Sequence, residues 1–317
     1  MNVRERSGSR STVVIGTRGS RLALWQAEWV KSQLQKISPE LVVNLQRIQT
    51  SGDKILDVPL AKIGGKGLFV KEIEDALLNG EIDLAVHSMK DVPSILPDGL
   101  EIVCVPERED PRDAWVSFHG TSFEEFKPGG KIGTSSLRRQ AQLLHHRADV
   151  EIQMLRGNLD TRLKKLREGN YDAIVLAAAG LRRLGWSQEI TGCLSTDVSL
   201  PAIGQGALGL EGRSDDTFLK DLIVKLEDGA TRATVDAERA FLTRLEGGCQ
   251  VPIAGHAVLK EQQLTLDGLI ASVDGKRYIR QSVSGTIDRA EELGVELAEN
   301  LLSAGGGPIL QEVYGMS

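Results

Sequence analysis

The stretch TVVIGTRGSRLALWQAEWVKSQLQKI, residues 12–37, decides the fold class. Its first five residues, TVVIG, are mostly β-branched and predict a short buried strand. After the polar turn TRGS, apolar residues recur at helical spacing at Leu22, Trp25, Trp29 and Leu34. A strand, a polar turn and an amphipathic helix in this order are typical of an α/β fold.

The same alternation continues outward from this stretch. LVVNLQRIQT (41–50) predicts a second strand, VKEIEDALLNGEI (70–82) a helix that ends near Gly80, and IDLAVHSM (82–89) a further strand. The alternation predicts a parallel sheet. The charges and prolines of EREDPRD (107–113) indicate a crossover, after which a new α/β series begins at DAWVSF.

A chain of 317 residues exceeds the size at which one hydrophobic core stops growing, so several domains are expected. We predict a first α/β domain over 10–106 plus 207–224 and a second over 112–200. The first domain is split because the glycine-rich SLPAIGQGALGLEG returns the chain to it. From Gly248 onward apolar and polar residues alternate, which predicts a three-stranded antiparallel meander under a final helix, AEELGVELAENLLSAG. The third domain, 229–317, is therefore expected to be α+β.

Composition bounds the function. The chain is 41% hydrophobic and 26% charged with a net charge of -6, which is ordinary for a globular protein and disfavours a dedicated nucleic-acid binder. No signal peptide or membrane span is apparent, so we expect a cytoplasmic protein. The three cysteines, Cys104, Cys193 and Cys249, are too few and too widely spaced for a disulfide framework or a paired zinc site.

Arginines concentrate at turns and helix starts. Between residues 131 and 190 the chain has 11 Lys and Arg against 6 Asp and Glu, so a basic segment lies within an acidic protein. Guanidinium groups at the carboxyl ends of strands suit a polycarboxylate ligand, although solvated helix faces would explain each arginine taken alone. These arginines are Arg18, Arg21, Arg138, Arg139, Arg156, Arg162, Arg182 and Arg183.

Two turns contain further candidates. In GTSSLRRQ, the hydroxyls of Thr134, Ser135 and Ser136 either cap a helix or help to receive an anion, and the residues alone leave both open. LAKIGGKGLFVKE holds Lys62 and Lys66 in a glycine-rich stretch without the spacing of a nucleotide-binding P-loop. This stretch is either a mobile lid with cations that reach an anion or an ordinary glycine-rich loop.

An acid and a thiol complete the candidates. Asp91 lies just beyond an apolar strand, where it is either a catalytic acid facing the cleft or a cap for the turn before Pro93. Cys249 follows two glycines in LEGGCQVPIAG, which leaves the thiol accessible for covalent attachment, whereas Cys104 lies in an apolar strand. The adjacent His145 and His146 point in different directions on a helix, so no metal is predicted.

Long motifs in a fixed order closely resemble the porphobilinogen deaminase (hydroxymethylbilane synthase) family over nearly the whole chain. They are TRGSRLALWQA, PLAKIGGKGLFVKE, DLAVHSMKDVP, EREDPRDA, GTSSLRRQAQL, LRGNLDTRL, YDAIVLAAAGLRRLG, LPAIGQGALGLE and ERAFLTRLEGGCQVPI. The resemblance implies two lobes like those of periplasmic binding proteins plus a small C-terminal domain. It also implies stepwise deaminative condensation of four porphobilinogen molecules and hydrolytic release of hydroxymethylbilane, in haem or chlorophyll biosynthesis.

The resemblance also assigns roles. It implies a dipyrromethane cofactor attached to Cys249 by a thioether, with Asp91 as the catalytic carboxylate. Cofactor binding is implied for Lys90, Thr134, Ser136, Arg138, Arg139, Arg162, Gly180 and Arg183. Substrate binding is implied for Arg18, Ser20, Arg156, Lys62 and Lys66. The expected partner is porphobilinogen, with no nucleic acid, membrane or metal, and the expected state is a monomer.

Two other interpretations remain on the residues alone. A non-enzymatic, two-lobed protein for a small anion would explain the α/β lobes and the arginines, but it would need neither Asp91 nor Cys249. The absence of a signal peptide counts against it. An RNA-binding protein would use the basic middle segment, which lacks aromatic stacking motifs.

Overall fold

The computed structural model describes residues 11–54, 70–245 and 251–315. Its strands are β1 (Thr12–Thr17), β2 (Val42–Arg47), β3 (Leu84–Ser88), β4 (Leu100–Cys104), β5 (Asp113–Ser117), β6 (Lys131–Gly133), β7 (Glu151–Gln153), β8 (Ala173–Ala177), β9 (Gly192–Cys193), β10 (Leu208–Arg213), β11 (Ile253–Lys260), β12 (Gln263–Ala271) and β13 (Tyr278–Thr286). Its α-helices are α1 (Arg21–Ile37), α2 (Ser51–Lys54), α3 (Lys71–Leu78), α4 (Leu137–His146), α5 (Leu159–Arg167), α6 (Ala178–Arg183), α7 (Thr217–Ile223), α8 (Gly229–Arg244), α9 (Ala290–Leu301) and α10 (Gly307–Gly315). The opening strand and helix predicted from residues 12–37 are confirmed as β1 and α1.

Three sheets organise the described residues. The first has the order β2-β1-β3-β10-β4, the second β7-β6-β8-β5-β9, and the third β11-β12-β13. The first two are flanked by helices and form the two α/β lobes. The third is an antiparallel meander covered by α8 and α9. The predicted fold class, two α/β lobes and a small C-terminal α+β domain, is confirmed.

The prediction of a parallel sheet is wrong for part of each lobe. β1 runs parallel to β2 and β3, but β10 runs antiparallel to β3 and β4. In the second sheet β5 likewise runs antiparallel to β8. The apolar pattern of a strand reports its burial and not its direction, so the sequence did not show this reversal.

The two reversed strands place the crossovers at one location. β10 begins opposite the carboxyl end of β3, where Leu208 pairs with Ser88, and β5 begins opposite the carboxyl end of β8, where Asp113 pairs with Ala177. The connections before β5 and before β10 therefore both run past the carboxyl ends of parallel strands. In α/β sheets this is the edge at which ligands bind.

The third sheet and its two helices share one core. Phe241 of α8 is fully buried and packs against Leu264, Leu266 and Leu297 in a single apolar cluster. At Gly294 a side-chain Cβ would lie 2.4 Å from the backbone oxygen of Ala237, so the glycine permits the close approach of α9 to α8. Helix α8 is thereby fixed to the meander and to α9.

Candidate active site

A cavity of about 770 Å³ opens between the two lobes, at the carboxyl ends of β1, β3, β6 and β8. It is lined by eleven of the residues to which the resemblance assigns a role: Arg18, Ser20, Lys90, Asp91, Ser136, Arg138, Arg139, Arg156, Arg162, Gly180 and Arg183. The wall near the third sheet is apolar and includes Leu242, Val251 and Ile253. The cavity therefore joins a basic cleft to residues that follow Cys249 in the chain.

Three helices begin at this cavity. Ser20 caps α1 by accepting a hydrogen bond from Ala23 N at 3.3 Å, and Ser136 caps α4 by accepting one from Arg139 N at 3.4 Å. Asn158 caps α5 in the same way through Thr161 N at 3.1 Å. The N-termini of helices carry partial positive charge, so the caps and the arginines add to the same field. The hydroxyls thus act as caps while Ser20 and Ser136 also line the cavity.

Asp91 lies at the end of a 3-10 turn, Met89–Asp91, that follows β3 directly. The turn is held by Met89 N, which donates to Ala207 O at 3.0 Å, and by Val92 N, which donates to Met89 O at 3.1 Å. Gly204 supports it from the crossover, since its φ is +70° and an added Cβ would lie 2.6 Å from Met89 Cγ. Strand β3 and the crossover together aim the Asp91 carboxylate at the cavity.

Lys90 lies beside Asp91 and connects the turn to the crossover. Its Nζ donates to Gln205 Oε1 at 3.3 Å. Burial and the nearby Arg139 lower the pKa of Lys90 to about 8, although Asp91 and Asp113 favour its charged form. Lys90 is therefore a cation whose charge is sensitive to pH in the alkaline range.

Arg138 and Arg139 share one buried partner, Asp113. Arg138 Nη1 and Nη2 lie 2.8 and 3.1 Å from the two carboxylate oxygens, and Arg139 Nε and Nη2 lie 3.0 and 2.7 Å from Asp113 Oδ1. Burial alone would raise the pKa of Asp113, but the two guanidinium groups hold it well below its usual range. The pair therefore carries one net positive charge after compensation, and Asp113 allows both arginines to be 95% buried.

Arg162 and Arg183 also line the cavity, from helices α5 and α6 of the second lobe. Arg162 Nε donates to Gly157 O at 2.7 Å, and Arg183 Nη2 donates to Gly206 O at 2.7 Å. Burial, Arg139 and Arg156 together lower the pKa of Arg162 to about 10, and burial lowers that of Arg183 to about 10. Crowded cations of this kind destabilise one another until anions enter.

Some predicted residues lie elsewhere. Thr134 is 97% buried beneath the cavity wall, where its Oγ1 accepts a hydrogen bond from Ser136 N at 3.2 Å, so it shapes the turn before α4. Cys249, Lys62 and Lys66 fall outside the described residues. His145 stacks on Tyr278 with ring centroids 3.9 Å apart. No group of three or more potential metal ligands occurs within 11–54, 70–245 and 251–315.

Sequence reasoning missed three residues of the site. Asp113 and Gln205 organise its cations, and the exposed Arg47 lines the cavity at the end of β2. Asp113 stands at the end of the charged EREDPRD stretch and Gln205 between two glycines, so both occupied segments already identified as crossovers. Their partners lie 25 to 115 positions away, which no local pattern shows.

Comparison with known proteins shows the family of the chain. A family model described as "Porphobilinogen deaminase, dipyromethane cofactor binding domain" matches residues 13–221, and one described as "Porphobilinogen deaminase, C-terminal domain" matches 232–303. The chain belongs to the porphobilinogen deaminase family. It is 60% identical to the porphobilinogen deaminase of Syntrophotalea carbinolica over 95% of this chain and 96% of that protein. It is 59% identical to that of Geobacter sulfurreducens over 95% and 94%.

Membership in this family gives the chain a transferase activity in tetrapyrrole biosynthesis and a dipyrromethane cofactor. The enzyme interpretation is thus favoured over the anion-binding and RNA-binding alternatives. The cavity fits the cofactor, because acetate and propionate side chains need several cations, and Lys90, Arg139, Arg162 and Arg183 line one continuous space. Val251, two residues after Cys249, lines the same cavity.

Solved structures similar to the chain include two periplasmic or extracellular proteins. One is the periplasmic VFT2 domain of BvgS from Bordetella pertussis, with a TM-score of 0.40 and 14% identity over 68% of this chain and 87% of that chain. The other is a probable amino-acid ABC transporter extracellular-binding protein from Bacillus subtilis, with a TM-score of 0.41 and 13% identity over 68% and 89%. Among the described residues, no helix combines the length and apolar character needed to cross a bilayer.

Proposed function

We propose that this member of the porphobilinogen deaminase family uses Asp91 as its catalytic carboxylate and Cys249 as the attachment point of its cofactor. The observation that carries the proposal is the position of Asp91 at the carboxyl end of β3. There it lines the cavity beside Lys90 and contributes to the electrostatic environment of Arg162. A carboxylate surrounded by cations is suited to repeated chemistry on a polycarboxylate chain.

Side chains of the cavity would hold the cofactor by its carboxylates. Lys90, Ser136, Arg139, Arg162 and Arg183 present donors to the cavity, and Gly180 lets a ligand approach the start of α6. Arg138 and Thr134 act behind them by fixing the position of Arg139 and of the turn before α4. When bound, the dipyrromethane supplies the nucleophilic pyrrole carbon at which chain growth begins.

Substrate recognition would use the same chemistry elsewhere in the cleft. Arg18, Ser20 and Arg156 line the cavity near the starts of α1 and α5, and they would bind the acetate and propionate groups of porphobilinogen. Lys62 and Lys66 are proposed to add cations from their glycine-rich stretch. Each further pyrrole brings two carboxylates, so cations on several sides reduce repulsion within the growing chain.

Asp91 would act where positive charge develops. Loss of ammonia from the aminomethyl group of porphobilinogen leaves an electrophilic carbon conjugated to the pyrrole nitrogen. A carboxylate that accepts a hydrogen bond from this N–H stabilises the cation before the new carbon–carbon bond forms. Removing such a group raises a reaction barrier by about 3–4 kcal/mol, equivalent to a rate loss on the order of 100- to 1000-fold.

The same proposal covers the organisation of the chain. Residues 10–106 plus 207–224, 112–200 and 229–317 form its three domains, since the first contains β1–β4 and β10, the second β5–β9 and the third β11–β13. We further propose a cytoplasmic monomer. Size-exclusion chromatography with light scattering tests the monomer, and fractionation of cells tests the location.

Intact-protein mass spectrometry before and after mixing with porphobilinogen tests attachment and elongation together. The wild-type chain should exceed its sequence mass by a dipyrromethane and then gain whole pyrrole units. Cys249→Ser should lose the added mass, whereas the matched Cys193→Ser should keep it. Asp91→Asn should keep the cofactor and stop chain growth, whereas Asp98→Asn, on the surface of the following loop, should elongate normally. A Cys249→Ser chain that retained covalent pigment would contradict the assignment.

A further inference from the structure

Arg239, on helix α8, contacts the segment that carries Asp91 from the side opposite the cavity. Its Nη2 donates to the backbone oxygens of Pro93 at 2.8 Å and Ser94 at 3.3 Å, and its Nη1 lies 3.9 Å from Met89 Sδ. One guanidinium therefore contacts residues on both sides of Asp91. Because the group is planar and rigid, it fixes the relative orientation of these partners as well as their distance.

Met89 links the contact with Arg239 to the turn that ends at Asp91. Its side chain is 98% buried and packs against two glycines, since an added Cβ at Gly204 would lie 2.6 Å from Met89 Cγ and one at Gly209 3.0 Å from Met89 Cε. Well-packed side chains transmit small displacements to their own backbone. A shift of Arg239 would therefore move the turn that ends at Asp91.

Helix α8 also ends close in sequence to Cys249. The helix ends at Arg244, five positions before Cys249, and its body is fixed to the third sheet through Phe241. Next to Arg239, Glu238 accepts hydrogen bonds from Arg108, Gly204 and Ala257, which ties the same turn of the helix to the crossover and to β11. One rigid helix thus contacts the proposed catalytic segment and precedes the proposed attachment point.

We infer that Arg239 is a positioning residue that sets the Asp91 carboxylate relative to the cofactor carried by the third domain. The inference rests on the proposed role of Asp91. Arg239 does not line the 770 Å³ cavity, so it acts through the Met89–Asp91 turn rather than by touching substrate. Misplacement of a reacting group by about 1 Å can cost on the order of 100-fold in rate.

A second cavity, of about 370 Å³, offers a direct way to test this role. It lies behind the turn and is lined by Met89, Ser94, Arg232, Asp236 and Arg239. Truncation of Arg239 to alanine would enlarge it and leave space for a small cation. Methylguanidinium can then replace the lost head group, whereas methylammonium lacks the planar pair of donors.

The experiment measures kcat and KM for porphobilinogen on cofactor-loaded Arg239→Ala, Arg239→Lys and Arg232→Ala chains. Arg232 is the matched control, because it lies on the same helix, lines the same cavity and donates to a backbone oxygen, that of Ile102. Circular dichroism and intact mass verify folding and full cofactor loading. Methylguanidinium and methylammonium are added at concentrations that leave the wild-type rate unchanged.

We expect kcat of Arg239→Ala to fall about 10- to 100-fold with KM within about twofold of wild type. Methylguanidinium should restore at least part of the kcat of Arg239→Ala, and methylammonium should not. The kcat of Arg239→Lys should lie between those of Arg239→Ala and wild type. Arg232→Ala should stay within about twofold of the wild-type kcat, because its hydrogen bond goes to Ile102 of β4 and not to the segment that carries Asp91. A purely structural role would give no selective recovery by one cation.

Three results would overturn the inference. An Arg239→Ala kcat equal to wild type, equal losses in Arg239→Ala and Arg232→Ala, or recovery that does not distinguish the two cations would each do so. If Asp91→Asn stops chain growth and Arg239→Ala does not slow it, only this inference fails. If Asp91→Asn elongates as fast as wild type, the proposed role of Asp91 fails, and this inference fails with it.

Discussion

Replacement of Asp113 by asparagine should destabilise the second lobe severely, although the two side chains have nearly the same shape. Asp113 is fully buried. Besides the four contacts from Arg138 and Arg139, it accepts hydrogen bonds from Ser199 Oγ at 2.7 Å and Gln205 Nε2 at 2.9 Å. Its six contacts all come from donors. An asparagine would turn an amide N–H₂ toward some of them and would remove the only negative charge of the group.

The magnitude follows from what remains in place. The two guanidinium groups would stay buried, and the compensating charge would be gone. Removing one partner of a buried ion pair costs about 3–5 kcal/mol. Because whole domains are stable by only about 5–15 kcal/mol, we expect the free energy of unfolding to fall by about 4 kcal/mol, which leaves the lobe marginal.

Urea unfolding followed by tryptophan fluorescence measures this change. Trp115 lies two residues from Asp113 on β5 and is 1% exposed, so its emission reports the packing of the same strand. Asp172→Asn is the control, because Asp172 is a carboxylate of the same lobe that pairs with exposed Lys127 at 2.7 Å. Exposed pairs contribute little, so the control should lose about 1 kcal/mol or less.

The pH dependence gives a second test with a defined sign. The pKa of Asp113 is lowered from 3.8 in the folded state, so its contribution to stability is present above that value and is lost as the pH falls below it. The advantage of wild type over Asp113→Asn should therefore be complete at neutral pH and shrink only in acid. A loss below about 1 kcal/mol at neutral pH, or one equal to that of Asp172→Asn, would refute the reasoning.

Three further predictions concern the first lobe and the crossover. Burial and Glu211 raise the pKa of Glu74 to about 7, so its contribution to stability is lost as the pH rises from 4.5 through 7. After allowance for solvent screening, the free energy of unfolding of Glu74→Gln, measured by thermal unfolding, should exceed that of wild type by about 1–2 kcal/mol at alkaline pH and match it in acid. Because the pKa of Lys90 is about 8, kcat/KM for porphobilinogen should decline above that pH, and steady-state assays of Lys90→Arg should show the decline at higher pH. Gly204→Ala should lower the free energy of unfolding by about 1–2 kcal/mol and should also lower kcat, because the φ of Gly204 is +70° and the new methyl group would clash with Met89. An unchanged urea midpoint and an unchanged kcat would contradict this prediction.

Local sequence predicted the parts of the site that each strand end provides. Asp91 after β3 and Ser136 before α4 became candidates because a strand followed by a polar turn and a helix places its last residues at the ligand edge of an α/β sheet. Gly180 in α6 was implied only by the family resemblance. That rule needs only the order of elements. It does not require knowledge of which residues meet across the cleft.

Long-range partnerships were beyond such a rule. The chain direction of β10 and β5 depends on how the crossovers return, and the buried contact of Asp113 with Arg138 spans 25 positions. Arginines on the outer surface and arginines in the interior look alike in the sequence. Only the positions of their partners distinguish a guanidinium that binds ligand from one that supports the fold.

This distinction divides the arginines of the cleft by the donors they have left. Arg138 directs its terminal nitrogens to Asp113, Ser199 and the backbone oxygen of Leu200, so it stabilises the second lobe. Arg162 and Arg183 each donate one hydrogen bond to a backbone oxygen among the described residues, which leaves several N–H groups for carboxylates. A cleft for a growing polyanion needs both kinds, because cations that bind ligand repel one another before it arrives. The ion-paired cluster of Asp113, Arg138 and Arg139 makes this part of the second lobe rigid. It thereby keeps the cations that bind ligand apart from one another.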